Sequence, residues 1–177
     1  MKVPWWTCLW ILLLGACRSD GPPAAITSTT PEEGPAYIEE NKQANHIESG
    51  DIDNYIRSHR LRPRSTGSGV YHQLVRDLPG DTARPGQWAI VNFRMELLNG
   101  KVCAMSAKDG PERFLIEMDD VESGLHEGIQ HLSPGDSALL ILASHRAYGL
   151  IGDLDQVPMR STIVYHIGLV ALEVSDR

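Results

Sequence analysis

The sequence of 177 residues is poor in cysteine and has no excess of positive charge. Lysine and arginine total 16 against 23 aspartates and glutamates, which gives a formal net charge of −7, and no dense basic run is interleaved with aromatic residues. Nucleic acid is therefore not an expected partner. Hydrophobic residues make up 42% of the chain, enough to form the core of one domain with appendages.

Several motifs of catalysis and metal binding are also missing. No Gly-x-Ser-x-Gly elbow is present, which argues against a common class of hydrolase. The glycines of Thr66–Gly69 form a turn without a phosphate-binding loop and helix. His126 and His131 are five residues apart, so they do not share the helical face that a zinc-protease motif requires. Asp153 and Asp155 lack the remaining ligands of a calcium loop and indicate a solvated turn. The sequence therefore predicts no metal site.

The N-terminus carries a short apolar run rather than a membrane-spanning one. Val3–Leu14 follows a lysine and is shorter than the roughly 20 apolar residues that a spanning helix needs, so a cleaved export signal is favoured. Leu14-Gly15-Ala16-Cys17 resembles the bacterial lipoprotein signal, which implies a signal peptide over residues 1–16 and lipidation of Cys17. An ordinary secretory signal is the alternative. Acyl chains on Cys17 would hold the protein on a membrane surface. Arg18, where an aspartate retains many lipoproteins at the inner membrane, implies by analogy the periplasmic face of the outer membrane.

The three cysteines fit an exported lipoprotein without an intrachain disulfide. Cys8 would be lost with the signal, Cys17 would be acylated, and Cys103 would remain alone. We interpret Cys103 as a small hydrophobic residue rather than a nucleophile, because no positioned histidine can be assigned to it.

Three regions follow the signal. Residues 17–35 are rich in proline, serine, threonine and glycine and predict a flexible tether. Residues 36–62 carry two blocks of helically spaced apolar residues, which predict two short helices, the second capped by Asp51 after Ser49-Gly50. Residues 63–177 form the main domain.

The main domain has the pattern of a sheet with one short helix. The helix begins near Gly124, has Leu125, Ile129 and Leu132 on one face, and is stopped by Ser133-Pro134-Gly135. Turn-rich segments separate the strands, and Asn99-Gly100 is a strong hairpin signal. The predicted strands are Val70–Val75, Gln87–Leu97, Phe114–Met118, Ala138–Leu142 and Thr162–Glu173.

A series of spaced motifs resembles the FKBP-type peptidyl-prolyl cis-trans isomerases. Gly124-Leu125-His126-Glu127-Gly128 is followed by Ala147-Tyr148-Gly149, a proline about ten residues later and a terminal strand. The resemblance covers about Ser68 to Val174 and is strongest to the lipoproteins of this family that are associated with gliding motility. It implies an α+β fold: an FKBP-like, twisted antiparallel half-barrel sheet wrapped on one short helix, with an N-terminal helical extension.

The resemblance also implies a proline-binding pocket. Tyr148 would be the catalytic hydroxyl donor, with the backbone N–H of Glu122 as a second donor. Neither metal nor cofactor is required, because isomerisation makes and breaks no covalent bond. Leu125 would be the floor of the pocket, and its walls would be Phe93, Cys103, Val121, Glu122, Val157 and Tyr165.

The sequence departs from the family at several pocket positions. The family's Phe-Asp-Ser after the hairpin is replaced by Cys103-Ala104-Met105-Ser106, so the aspartate is absent. Leu125 replaces a frequent tryptophan, and Glu112 stands where an aromatic residue is common. These changes leave a catalytically weak or inactive chaperone, or a purely structural lipoprotein, as alternatives to an isomerase.

The family resemblance implies the partners as well. They would be proline-containing polypeptides, among them unfolded or newly exported proteins, and the membrane through the lipid anchor. The N-terminal helices could form a homodimer or capture substrate, or they could simply pack against the domain.

Overall fold

The computed structural model describes residues 33–106 and 110–174. The predicted signal peptide, Cys17 and most of the tether lie outside the described residues. Within the described part of the chain, no helix is long and apolar enough to cross a membrane.

The first element is one long helix. Helix α1 spans Glu33–Ser58, so the prediction of two short helices with a cap at Asp51 was wrong. A glycine inside a helix costs only about 1 kcal/mol relative to alanine, and Gly50 is therefore tolerated. The hydroxyl of Ser49 donates to the carbonyl of Asn45 at 2.8 Å within the helix instead of ending it.

Over the described residues, seven antiparallel strands form one sheet. The bounds are β1 Arg64–Ser65, β2 Val70–Arg76, β3 Gln87–Leu97, β4 Val102–Met105, β5 Glu112–Leu115, α2 Ser123–Ile129, β6 Ser137–Leu142, the 3₁₀-helix Ser144–Arg146 and β7 Ile163–Val174. Along the sheet the order is β1-β2-β6-β7-β3-β4, and β5 also pairs with β3. Helix α2 precedes β6, and the 3₁₀-helix follows it.

The central strand β3 has the bounds that its alternating apolar residues predict. It pairs with β7 along its whole length, from Gln87 opposite Val174 to Leu97 opposite Ile163. The turn after it places Gly100 at a φ of 83°, where a side chain would be strained, and the N–H of Gly100 donates to the carbonyl of Leu97 at 2.9 Å. The predicted hairpin is therefore confirmed.

Strand β6 is apolar from Ala138 to Leu142 because both faces of the sheet are covered. Ala138, Leu140 and Leu142 belong to the core on the α2 face, whereas Leu139 and Ile141 belong to a second cluster on the opposite face. That second cluster contains Ile52 and Tyr55 of α1, together with Ala143 and Val164. Helix α1 thus packs on the sheet face opposite α2.

Two predicted boundaries were wrong. Helix α2 ends at Ile129, and Leu132 is buried in the turn that follows, where its N–H donates to the carbonyl of Ile129. Strand β5 ends at Leu115 because Glu117 has a φ of 64°, which an extended strand cannot contain. The fold class itself, an antiparallel open sheet with a short helix on one face and an N-terminal helix, is confirmed.

Candidate functional site

A cavity of about 480 Å³ opens on the α2 face of the sheet. It lies between strands β3, β5 and β7, the start of α2 and the segment after the 3₁₀-helix. Six of the eight predicted pocket residues meet here. The lining residues are Val91, Phe93, Glu112, Arg113, Phe114, Asp120, Val121, Glu122, Leu125, Ala147, Tyr148 and Tyr165.

Two aromatic side chains from neighbouring strands form the cavity floor. Met95 lies opposite Tyr165 in the β3–β7 pair, which puts Phe93, two residues away, on the same face as Tyr165. Their rings are 5.7 Å apart and inclined by 63°, an edge-to-face arrangement. Leu125 of α2, only 6% exposed, closes the apolar side. The floor can therefore hold a compact apolar group.

Three polar side chains meet above this floor. The hydroxyl of Tyr165 donates to Oε1 of Glu122 at 3.0 Å. The pKa of Tyr148 is raised well above its ordinary value, mainly by burial and then by the Glu122 carboxylate. Burial and the same carboxylate raise the pKa of Tyr165. Both phenols therefore stay protonated at neutral pH, where they can donate hydrogen bonds.

The position of Tyr148 is set by the tight turn around it. The N–H groups of Ala147 and Gly149 both donate to the carbonyl of Ser144, at 3.0 and 2.7 Å. Gly149 has a φ of 65°, which favours glycine. The Tyr148 hydroxyl makes a long contact of 3.8 Å with Sδ of Met95, a weak acceptor. The same hydroxyl interacts with the Glu122 carboxylate, so an acceptor that enters the cavity competes with Met95 and Glu122 for it.

Two predicted pocket residues lie beside the cavity rather than in its lining. Cys103 on β4 is half-buried, with Sγ 3.6 Å from the carbonyl oxygen of Gln156. Burial raises the pKa of its thiol, which disfavours the reactive thiolate. Val157 is 2% exposed in the core, and its N–H donates to Asp153 at 2.7 Å. Cys103 therefore joins β4 to the loop before β7, and Val157 takes part in a hydrogen bond within that loop.

Sequence reasoning missed five of the twelve residues that line the cavity. Val91, Phe114 and Ala147 were not assigned to it, nor were Arg113 and Asp120, whereas Glu112 was recognised as a pocket position through the family resemblance. The signal for Val91 was its alternation with Phe93 on β3, which puts both on one sheet face. Arg113 and Asp120 gave no comparable signal, because their contribution depends on the path of the chain from β5 to α2.

The two histidines near α2 have structural contacts. Nδ1 of His126 accepts from the N–H of Glu117 and Nε2 lies 3.0 Å from the carbonyl of Asp119, so this buried ring holds the segment before α2. The ring of His131 stacks on that of His72, with centroids 4.0 Å apart. Among the described residues, no group of three or more histidine, cysteine, aspartate or glutamate side chains is arranged to hold a metal ion.

Fold and cavity together define a small α+β domain with a largely apolar cavity between a sheet and a short helix. The family model described as FKBP-type peptidyl-prolyl cis-trans isomerase matches residues 80–170, just over half of the chain. The chain belongs to this family.

Relatives of this family match at low identity. The chain is 26% identical over 114 residues to the FKBP-type peptidyl-prolyl cis-trans isomerase FkpA of Escherichia coli, covering 64% of this chain and 42% of the relative. It is 30% identical over 107 residues to the peptidyl-prolyl cis-trans isomerase FKBP1A of Xenopus laevis, covering 59% of this chain and 99% of that one. The chain thus spans less than half the length of FkpA but nearly all of the shorter relative.

Solved structures share the fold. The crystal structure of FkpA from Escherichia coli matches with a TM-score of 0.66 at 22% identity, covering 80% of this chain and 66% of that one. A peptidyl-prolyl cis-trans isomerase from Pseudomonas syringae matches with a TM-score of 0.62 at 21% identity, covering 75% of this chain and 95% of that one.

Proposed function

We propose that this protein is a peptidyl-prolyl cis-trans isomerase that acts on exported polypeptides. The observation that carries the proposal is the cavity floor of Phe93 and Tyr165, with Leu125 closing the apolar side and the Tyr148 hydroxyl beside it. An edge-to-face aromatic pair against an aliphatic side chain suits the compact, apolar ring of proline.

The proposed catalysis depends on shape and on hydrogen-bond donors. Rotation about an Xaa-Pro bond must break amide resonance, against a barrier of roughly 18–20 kcal/mol. A planar amide in an apolar cavity loses the water that stabilises its charge separation. A twisted amide has less charge separation, so it loses less stabilisation. Tyr148 donates to a substrate carbonyl, and the backbone N–H of Glu122 is the proposed second donor. Cys103 and Val157 support the loop rather than touch the proline.

The loop after Tyr148 favours a polypeptide as substrate. Leu150, Ile151, Leu154 and Met159 are all more than half exposed, at 53, 68, 86 and 68%. Exposed apolar side chains close to a cavity are typical of surfaces that bind another chain. An unfolded or newly exported protein could lie across them with its proline in the cavity.

The same loop supports a second candidate, a chaperone of this fold with little catalysis. The cavity lacks the family's pocket aspartate, since Ala104 occupies that position, and Leu125 stands in place of a large aromatic residue. Such a protein would bind unfolded chains through the loop and the cavity without accelerating isomerisation.

The proposed location and organisation rest on the sequence. We infer a signal peptide over residues 1–16, a lipid anchor at Cys17, a tether from residue 17 to the start of α1 at Glu33, and a helical segment that leads to the domain 63–177. The anchor would place the domain at the periplasmic face of the outer membrane. Tyr37, Ile38 and Ile47 of α1 are more than half exposed, which supports a homodimer through this helix.

A protease-free isomerisation assay tests the function. The full chain in mild detergent should accelerate cis-to-trans conversion of a Leu-Pro peptide, measured by NMR exchange. Suppressed aggregation of an unfolded protein without any acceleration would favour the chaperone. If the protein neither accelerates isomerisation nor suppresses aggregation, both candidates are contradicted.

A further inference from the structure

We propose that the cavity prefers chains with a lysine or arginine next to the proline, and that Glu122 is the residue that determines this preference. The inference rests on the proposed isomerase function, because it assigns a substrate class to the same cavity.

The carboxylate of Glu122 is fixed at the cavity by a buried donor. Tyr165 is only 4% exposed, and its hydroxyl donates to Oε1 of Glu122 at 3.0 Å. The side chain of Glu122 is itself half-buried, at the start of α2. A carboxylate that is already oriented loses little further conformational entropy when a cation approaches.

Glu122 has no cationic partner within the described residues. The ion pairs found over residues 33–106 and 110–174 involve other carboxylates. Arg146, the cation on the segment before Tyr148, is paired with Glu127 instead. No ion pair within these residues therefore occupies the Glu122 carboxylate, and a cation from outside can approach it.

The rest of the cavity wall adds negative charge. Glu112 and Asp120 line the cavity at exposed positions, so with Glu122 they outnumber Arg113, the arginine of the lining, by three to one. The guanidinium of Arg113 lies 4.0 Å from the centre of the Trp88 ring, in a cation–π contact. The cavity mouth is thus acidic above an aromatic floor.

This combination suits a proline with a cationic neighbour. With the proline ring on Phe93 and Tyr165, the adjacent residue of the chain lies at the acidic mouth. The aliphatic stem of lysine can follow the apolar wall while its ammonium group stays hydrated near the carboxylates. A glutamate at the same position would meet like charges and be disfavoured.

The test compares peptides that differ in one side chain next to the proline. Lysine, its uncharged isostere norleucine, and glutamate are placed before the proline, and kcat/KM is measured for the full chain at low salt. The lysine peptide should exceed the norleucine peptide by about two- to fivefold, as for a partly exposed ion pair, and the glutamate peptide should be slowest. The lysine preference should shrink as salt screens the charges.

Two variants assign the preference to Glu122. In Glu122→Gln the ratio of lysine to norleucine should fall toward one. In Glu40→Gln, which removes an exposed carboxylate of α1 far along the chain, the ratio should stay at the parent value. If Glu122→Gln does not fold, the salt dependence of the parent ratio decides.

Three outcomes separate the inference from the function. Acceleration of the norleucine peptide without a lysine preference would overturn the inference and leave the isomerase. An unchanged ratio in Glu122→Gln would also overturn the assignment. No acceleration of any peptide would overturn the isomerase and the inference together.

Discussion

The carboxylate of Glu48 accepts two hydrogen bonds from Ser144, one from its backbone N–H at 2.6 Å and one from its hydroxyl at 2.9 Å. A third comes from the hydroxyl of Thr162 at 2.7 Å. Ser144 begins the 3₁₀-helix that leads to Tyr148, and Thr162 immediately precedes β7. One side chain of helix α1 therefore ties both ends of the segment 144–162 to the opposite face of the sheet.

Replacing Glu48 should loosen this segment. In Glu48→Ala the buried N–H and hydroxyl of Ser144 lose their acceptor, which costs roughly 1–3 kcal/mol in the free energy of unfolding. We expect a lower melting temperature, faster amide hydrogen exchange over residues 144–162 and slower isomerisation. Glu40→Ala, on the exposed side of α1, is the control. Unchanged exchange in Glu48→Ala would show that packing of α1 alone holds the segment.

Removing the hydroxyl of Tyr148 should affect activity more than stability. In the folded protein this hydroxyl contacts the weak acceptor Sδ of Met95 at 3.8 Å and also interacts with the Glu122 carboxylate, which keeps its hydrogen bond from Tyr165, so Tyr148→Phe should change the free energy of unfolding by about 1 kcal/mol. If the hydroxyl donates to the substrate, kcat/KM for a Leu-Pro peptide should fall roughly two- to tenfold. Equal activity in the parent and the variant would show that the hydroxyl of Tyr148 has no catalytic role.

The core elements could be predicted because one local pattern determines each of them. The alternation along Gln87–Leu97 defines β3, and the run Ala138–Leu142 defines β6 within one residue. Helix α1 was predicted in two pieces because Ser49-Gly50 is a common helix stop. Its continuity depends on the packing of Ile52 and Tyr55 against the sheet, which no local pattern contains.

The cavity was only partly predictable for a similar reason. Phe93 and Tyr165 followed from the family resemblance, and the structure places their rings in contact. The hydrogen bond from Tyr165 to Glu122 could not be predicted, because it joins residues 43 positions apart that meet only when β7 lies beside the start of α2. The acidic mouth likewise arises from β5 and the turn after it.

A larger side chain at Leu125 should strengthen proline binding. Leu125 lies at the cavity wall on α2, and the cavity of about 480 Å³ leaves room for an indole ring. Burying a large apolar side chain is favourable by about 1.5–3 kcal/mol. A proline ring that packs on the new indole gains a part of this free energy on binding. Leu125→Trp should therefore lower KM for a Leu-Pro peptide several-fold, with Leu125→Met as the matched control of similar polarity. A rise in KM with a lower melting temperature would mean that the ring is forced into the core instead.

The stability of the protein should fall in mild acid because of His72. Nδ1 of His72 is buried without a hydrogen-bond partner, and its ring stacks on His131 at 4.0 Å with an interplanar angle of 7°. Burial, then the neighbouring charges of His131 and Arg64, lower the pKa of His72, and Glu127 only partly opposes them. The unfolded chain, with the ordinary histidine pKa of about 6.5, therefore binds a proton more readily than the folded protein.

Stability from His72 is consequently present above about pH 6.5 and is lost as the pH falls through that value toward the lowered pKa of the folded state. His72→Phe keeps an aromatic ring against His131 but cannot titrate, so its free energy of unfolding in urea should decline less between pH 7 and pH 5 than that of the parent protein. His46→Gln, which removes an exposed histidine of α1, should follow the parent curve. Only His72→Phe removes the unsatisfied buried nitrogen. If its free energy of unfolding falls with pH in parallel with that of the parent, the acid sensitivity comes from other groups.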